Sequence, residues 1–241
     1  MNKYSKCFAQ FLLVVAFTLG LNLTGGFAGD RDAPPQVVAP TETAFAMTYA
    51  EWTARWWQYV LGEPDDTNIF TDPTGQYCGL GQWGPVFFLA GYPTGIGQRT
   101  CTIPAGKGLL VPLFNFAGSV PDDAPTIEEV ISMYKADADL VDVDTLRFEI
   151  DGMSVRHLDK FRFQTPIFSL TGAVPNFSSV GGCGGTPPHC YEGFRAQAWA
   201  DGYWVMVKPL SPGIHTIHFH AEVPEWDSVQ DTTYHLTVLK K

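Results

Sequence analysis

No stretch of this chain gathers basic residues. Fifteen Lys and Arg stand against 25 Asp and Glu, a formal net charge of −10. The phosphate-neutralising footprint of a nucleic-acid binder is therefore missing, and anionic membrane surfaces are disfavoured. Catalytic signatures are missing too: there is no G-x-S-x-G nucleophile elbow and no H-E-x-x-H. The glycine-rich "IPAGKGLL" is not a phosphate loop. The Walker pattern needs Gly where Cys101 stands and a hydroxyl where Gly108 stands. Past the N-terminal segment, no apolar run approaches the ~20 residues of a membrane span.

The one long apolar run lies at the start. Lys3 and Lys6 precede a hydrophobic stretch from Phe11 to Leu23, and Gly26 and Ala28 sit at −3 and −1 of a cut after Ala28. Residues 1–28 read as a secretory signal peptide, which places the protein in the periplasm or outside the cell, with no membrane span after cleavage. Cysteine is scarce, five in all, and Cys7 falls in that leader. The other four, Cys78, Cys101, Cys183 and Cys190, are even in number in an oxidising compartment, which favours disulfides. The sequence-local pairs Cys78–Cys101 and Cys183–Cys190 are preferred; a zinc site would need closer paired spacings.

Residues 29–43, with Pro34, Pro35 and Pro40, read as an extended arm, and 44–241 as a single domain. In "TYAEWTARWWQYVLGEP", Thr48 and Glu51 form a capping box, and Gly62 and Pro64 supply the stop. The helix between carries Tyr49, Trp52, Trp56, Trp57 and Tyr59, with Trp52, Trp56 and Val60 at four-residue steps on one face. These aromatics either dock the helix on the domain or offer a surface to sugar rings. "TIEE" at Thr126 starts a second helix running towards Ala138. Nearly all else reads as short strands between Gly, Pro and Asp turns. The expectation is a mainly β fold, an antiparallel β-sandwich (immunoglobulin-like or jelly-roll) with two short α-helices.

Three of six histidines fall in "SPGIHTIHFHAEV": His215, His218 and His220. Asp201-Gly202 is the strongest short hairpin signal, and taking it and Ser211-Pro212-Gly213 as turns sets a register. Ala198, Val205, Val207, Ile217, Phe219, Leu236 and Val238 then share a core face. Trp199, Trp204, Met206, His218, His220 and His235 share the other, while His215 falls at the strand's start. Three readings of the second face follow. It is a second core under the aromatic helix. It is an open platform where Trp199 and Trp204 stack on a ligand and His220 and His235 bond its polar edge. Or it is a metal site of His218, His220 and His235, with Met206 favouring a soft ion; copper and zinc are the candidate cofactors.

Weaker signals read as structure. Asp137, Asp139, Asp142 and Asp144 cluster, but without the Gly and Glu of an EF-hand loop they read as a solvated turn. "EPDDTN" reads the same way. "NFS" at Asn176 is a formal glycosylation sequon.

The strings "WTARWWQYVL", "GPVFFLAG", "CTIPAGKGLLVPLFN" and "DGYWVMVKPLSPGIHTIHFHAEV" resemble a group of exported bacterial β-sandwich proteins of unassigned function, over residues 49–238. "LSPGIHTIHFHAEV" followed by "TYHLTV" is similar to the closing strands of immunoglobulin-like domains. The resemblance implies export and a sandwich, and supplies no catalytic residue. The leading expectation is an exported non-catalytic binding protein for a small polar molecule or carbohydrate. The alternatives are a metal-binding protein, copper-handling or a zinc-dependent hydrolase, and a structural protein of the cell envelope.

Overall fold

A computed structural model describes residues 36–64, 66–91, 95–171 and 195–240, with Thr171 and Arg195 described by backbone alone. The chain divides into two units, Met1–Arg31 and Asp32–Lys241, and every described residue lies in the second. The signal peptide, Cys183, Cys190, Asp65 and the Asn176 sequon fall outside the described residues.

The protein is mainly β with two helices, α1 (Tyr49–Gly62) and α2 (Ile127–Asp139). Strands β1 (Val86–Phe88), β3 (Gly108–Val120), β6 (Arg162–Gln164), β7 (Phe168–Thr171) and β8 (Arg195–Val207) build a first sheet. Its order is β1-β3-β8-β6, with β7 also on β8. Strands β2 (Gly95–Ile103), β4 (Asp142–Ile150), β5 (Met153–Ser154), β9 (Gly213–Val223) and β10 (Ser228–Val238) build a second, ordered β2-β10-β9-β4-β5.

Both sheets are mixed rather than purely antiparallel, because β1 runs parallel to β3 and β2 parallel to β10. Parallel neighbours need a long crossover. Between β1 and β3 that crossover contains β2, which pairs in the other sheet. One buried cluster draws on both sheets: Leu110, Val111, Val205 and Val207 from the first, Ile217, Phe219, Leu236 and Val238 from the second. All seven residues assigned to the core face by alternation lie in it.

The pairing behind that assignment is different. Asp201 and Gly202 are not a turn. They sit inside the single long strand β8, opposite Phe116 and Asn115 of β3. Gly202 allows a close approach: a Cβ there would lie 2.4 Å from the Asn115 Cα. The β3–β8 register shifts between Pro112 and Phe114 beside it. Asp201 is fully buried, and Arg162 grips it through Nε at 2.9 Å and a terminal nitrogen at 2.8 Å. Nor do β8 and β9 form a hairpin, since the chain between them crosses from one sheet to the other.

Local chemistry sets the helix ends. Thr48 accepts from the Glu51 N–H while Glu51 accepts from the Thr48 N–H, the reciprocal box its spacing encodes. At the far end the Asn68 amide donates to the Val60 and Glu63 carbonyls. Trp56 and Val60 are fully buried, and Trp56 meets Trp204 edge-on at 5.1 Å. Gln36 and Val38 of the arm lie along the end of β8: Val38 N–H donates to Met206 O and Lys208 N–H to Gln36 O. Thr126 caps α2 by accepting from the Glu129 N–H. Cys78 and Cys101 are joined in a disulfide.

Candidate functional site

The histidines and tryptophans expected on one face are separated. Trp199, Trp204 and Met206 stand on β8 in the first sheet, buried. Trp204 and Met206 oppose Pro112 and Leu110 in the main core. Trp199 packs in a smaller cluster with Ala124 and Val130 of the α2 region. His218, His220 and His235 stand on the second sheet, partly or fully exposed. Locally, Asp-Gly outweighed everything else in the register; the partners that pull β8 straight lie far upstream.

His218 and His220 do share a face. His220 lies opposite Asp231, and His235 opposite Thr216. Asp231 divides its carboxylate between two imidazoles: Oδ1 is 3.0 Å from His218 Nε2 and Oδ2 is 3.0 Å from His220 Nδ1. His220 Nε2 in turn lies 3.0 Å from Glu222 Oε1. With acceptors at both nitrogens, His220 makes both contacts as hydrogen bonds only when its ring carries two protons. His215 is tied to Asp151 at 2.7 Å and to the Ser211 carbonyl at 2.8 Å. Among the described residues, no group of three or more His, Cys, Asp or Glu is arranged to hold a metal ion. Met206, buried in the other sheet, cannot join the imidazoles. Two of the clustered aspartates make structural contacts: Asp139 pairs with Arg162, and Asp142 accepts from the Asp144 N–H.

Among the described residues a ligand-sized cleft lies beside α1. A cleft of roughly 550 Å³ opens between that helix, the loop carrying Trp83 and the start of β1, within the usual range for small-molecule sites. Trp52, Arg55, Tyr59 and Gly62 line it at three- and four-residue steps, one stripe of the helix. Gln58 and Glu63 flank them, and Phe88 joins Trp52 below. The floor is fixed: Trp52 Nε1 donates to the Ala44 carbonyl at 2.7 Å, and the Tyr59 hydroxyl donates to the Leu80 carbonyl at 2.6 Å. At the lip stands Trp83, 85% exposed, between the positive-φ glycines Gly81 and Gly84. A second hollow, of roughly 460 Å³, is lined by Asp144, Arg147, His157 and Asp159 and has no aromatic residue.

The other lip carries a backbone cost. Ala44 and Met47 bond to each other across a two-residue turn whose central residues, Phe45 and Ala46, have φ of 51° and 65°. Such a turn ordinarily takes Asn-Gly. Side chains in this region cost about 1 kcal/mol or more each, and such strain concentrates at ligand sites. The turn presents Phe45, 38% exposed, at the cleft wall against Gly108.

Sequence reasoning singled out the helix aromatics but not Trp83, Phe45 or Arg55. The signal for Trp83 is its setting: in "GLGQWGP" an indole flanked by turn formers has no periodic pattern to carry it into a core. Comparison of the chain with known protein families, with curated proteins and with solved structures found no match.

Proposed function

We propose that the protein is an exported, non-catalytic binding protein for a small polar ligand of the carbohydrate type, held in the cleft beside α1. The observation that carries this reading is Trp83. A large indole left 85% in water at the mouth of a ligand-sized cleft offers apolar area whose covering by a ligand is favourable. Sugar rings present an apolar face to an indole and hydroxyls at the edge. Trp83 and Phe45 supply the apolar contacts, and Arg55, Gln58 and Glu63 the polar ones.

Export rests on the leader pattern and agrees with the Cys78–Cys101 bond, since disulfides persist in oxidising compartments. Among the described residues no helix is long and apolar enough to cross a membrane. The two sheets read as faces of a sandwich whose common core supports the cleft from behind. A glycan-array screen of the purified protein and its Trp83→Ala variant tests the function. The expected result is a set of glycans retained by the native chain and lost by the variant. Identical profiles for the two proteins, or an empty array for both, would overturn it.

A further inference from the structure

We propose that the ligand of this cleft carries a carboxylate, as a uronic acid ring does, and that Arg55 is the residue that reads it. The inference rests on the cleft being the binding site. Among the described residues Arg55 makes no hydrogen bond; its charge acts on Glu51, one turn earlier on the same helix, without a bonded contact. The Glu51 carboxylate is already committed to the backbone N–H and hydroxyl of Thr48. A guanidinium is a planar fork of donors that matches a carboxylate in two parallel bonds. Here its donors are unused among the described residues, and it stands between Trp52 and Tyr59 on the stripe lining the cleft.

The cleft is electrically polarised along the helix. Arg55 and Glu63 are eight residues apart, about 12 Å along an α-helix axis, further than the ~8 Å screening length at physiological salt. Glu63 is folded over Gly81, where a Cβ would lie 2.2 Å from its carboxylate oxygen. A bound chain therefore places its carboxylate at the Arg55 end and neutral hydroxyls at the Glu63 end. Lys107 adds a second cation at the lip, its ammonium donating to the Gly84 carbonyl next to Trp83. The protein as a whole is acidic, with a formal net charge of −10, so an anionic ligand gains nothing from the long-range field. Selection for it must be local, which is what a guanidinium with unused donors beside two aromatic surfaces provides.

The test is a calorimetric titration of the full chain with trigalacturonate and with galactotriose, a neutral trisaccharide of the same length. The acidic trisaccharide is expected to bind about tenfold or more tightly, the scale of one charge-assisted hydrogen-bonded contact. Arg55→Gln should abolish the preference, bringing the acidic trisaccharide to the affinity that the same variant has for the neutral one. Trp83→Ala should weaken both alike. Equal binding of the two sugars, or an unchanged preference in Arg55→Gln, overturns the carboxylate assignment and leaves the cleft standing as a binding site. Binding of neither sugar overturns both.

Discussion

At the scale of the residue, Asp201 shows how one carboxylate can organise a fold. It is fully buried in the middle of β8 and binds Arg162 from β6, which reaches on to Asp139 of α2 at 2.6 Å. Gln164 donates to the same carboxylate at 3.0 Å. Burial of the charge is tolerable only because it is paired and fully bonded. Asp201→Asn leaves the partly buried guanidinium without its main partner and should cost about 3 kcal/mol in urea unfolding. Asp139→Asn, at an exposed end of the same guanidinium, should cost under about 1 kcal/mol. Equal losses would mean that burial does not set the strength of these pairs. This network is also where the sequence misled. Asp-Gly is a turn signal at short range, and nothing nearby reveals that Arg162, 39 residues upstream, will hold the aspartate in a strand.

At the scale of the element, α1 performs two tasks with two stripes. Tyr49, Trp56 and Val60 anchor it in the core, while Trp52, Arg55 and Tyr59 line the cleft. Its boundaries were legible in the sequence, because a capping box and a Gly-x-Pro stop are local chemistry. Trp52 and Tyr59 of its second stripe stood out in the sequence, but the cleft they line did not, because the residues opposite come from the Trp83 loop and the Phe45 turn. Thr48→Ala should destabilise the protein by about 1 kcal/mol by removing the cap. The strained turn predicts the opposite sign. Ala46→Gly relieves a left-handed residue without touching Phe45 and should raise the unfolding free energy by about 1 kcal/mol. A loss of stability on that substitution would show that the turn is not strained.

At the scale of the whole molecule, alternation was legible on β9 and β10 but the topology was not, and on β8 Trp204 and Met206 are as buried as Val205 and Val207. Alternation survives any choice of partner, so Ile217, Phe219, Leu236 and Val238 could be placed inside without knowing what they face. Which strands pair is decided by contacts between distant parts of the chain. That is why β8 and β9, adjacent in sequence, belong to different sheets, and why Trp204 and His220 part company. Burial has a global consequence at high pH. Desolvation pushes the phenols of Tyr49, Tyr59, Tyr134 and Tyr203 above their ordinary range. A folded-state pKa raised above the unfolded value of ~10 means stability that is complete below that pH and lost as pH rises beyond it. Urea midpoints should therefore fall above about pH 10, and Tyr49→Phe should make the fall shallower. A midpoint unchanged up to pH 11 would contradict this.

The central claim, that the cleft beside α1 is the binding site, is tested most directly by comparing two exposed tryptophans. Trp83 stands at its lip, while Trp226 is 47% exposed against Phe116, in a short turn between β9 and β10. The dissociation constant of an array-identified glycan should rise about tenfold in Trp83→Ala, the loss of one stacked ring at ~1.5 kcal/mol, and stay at the native value in Trp226→Ala. The same constant in both variants would contradict the account.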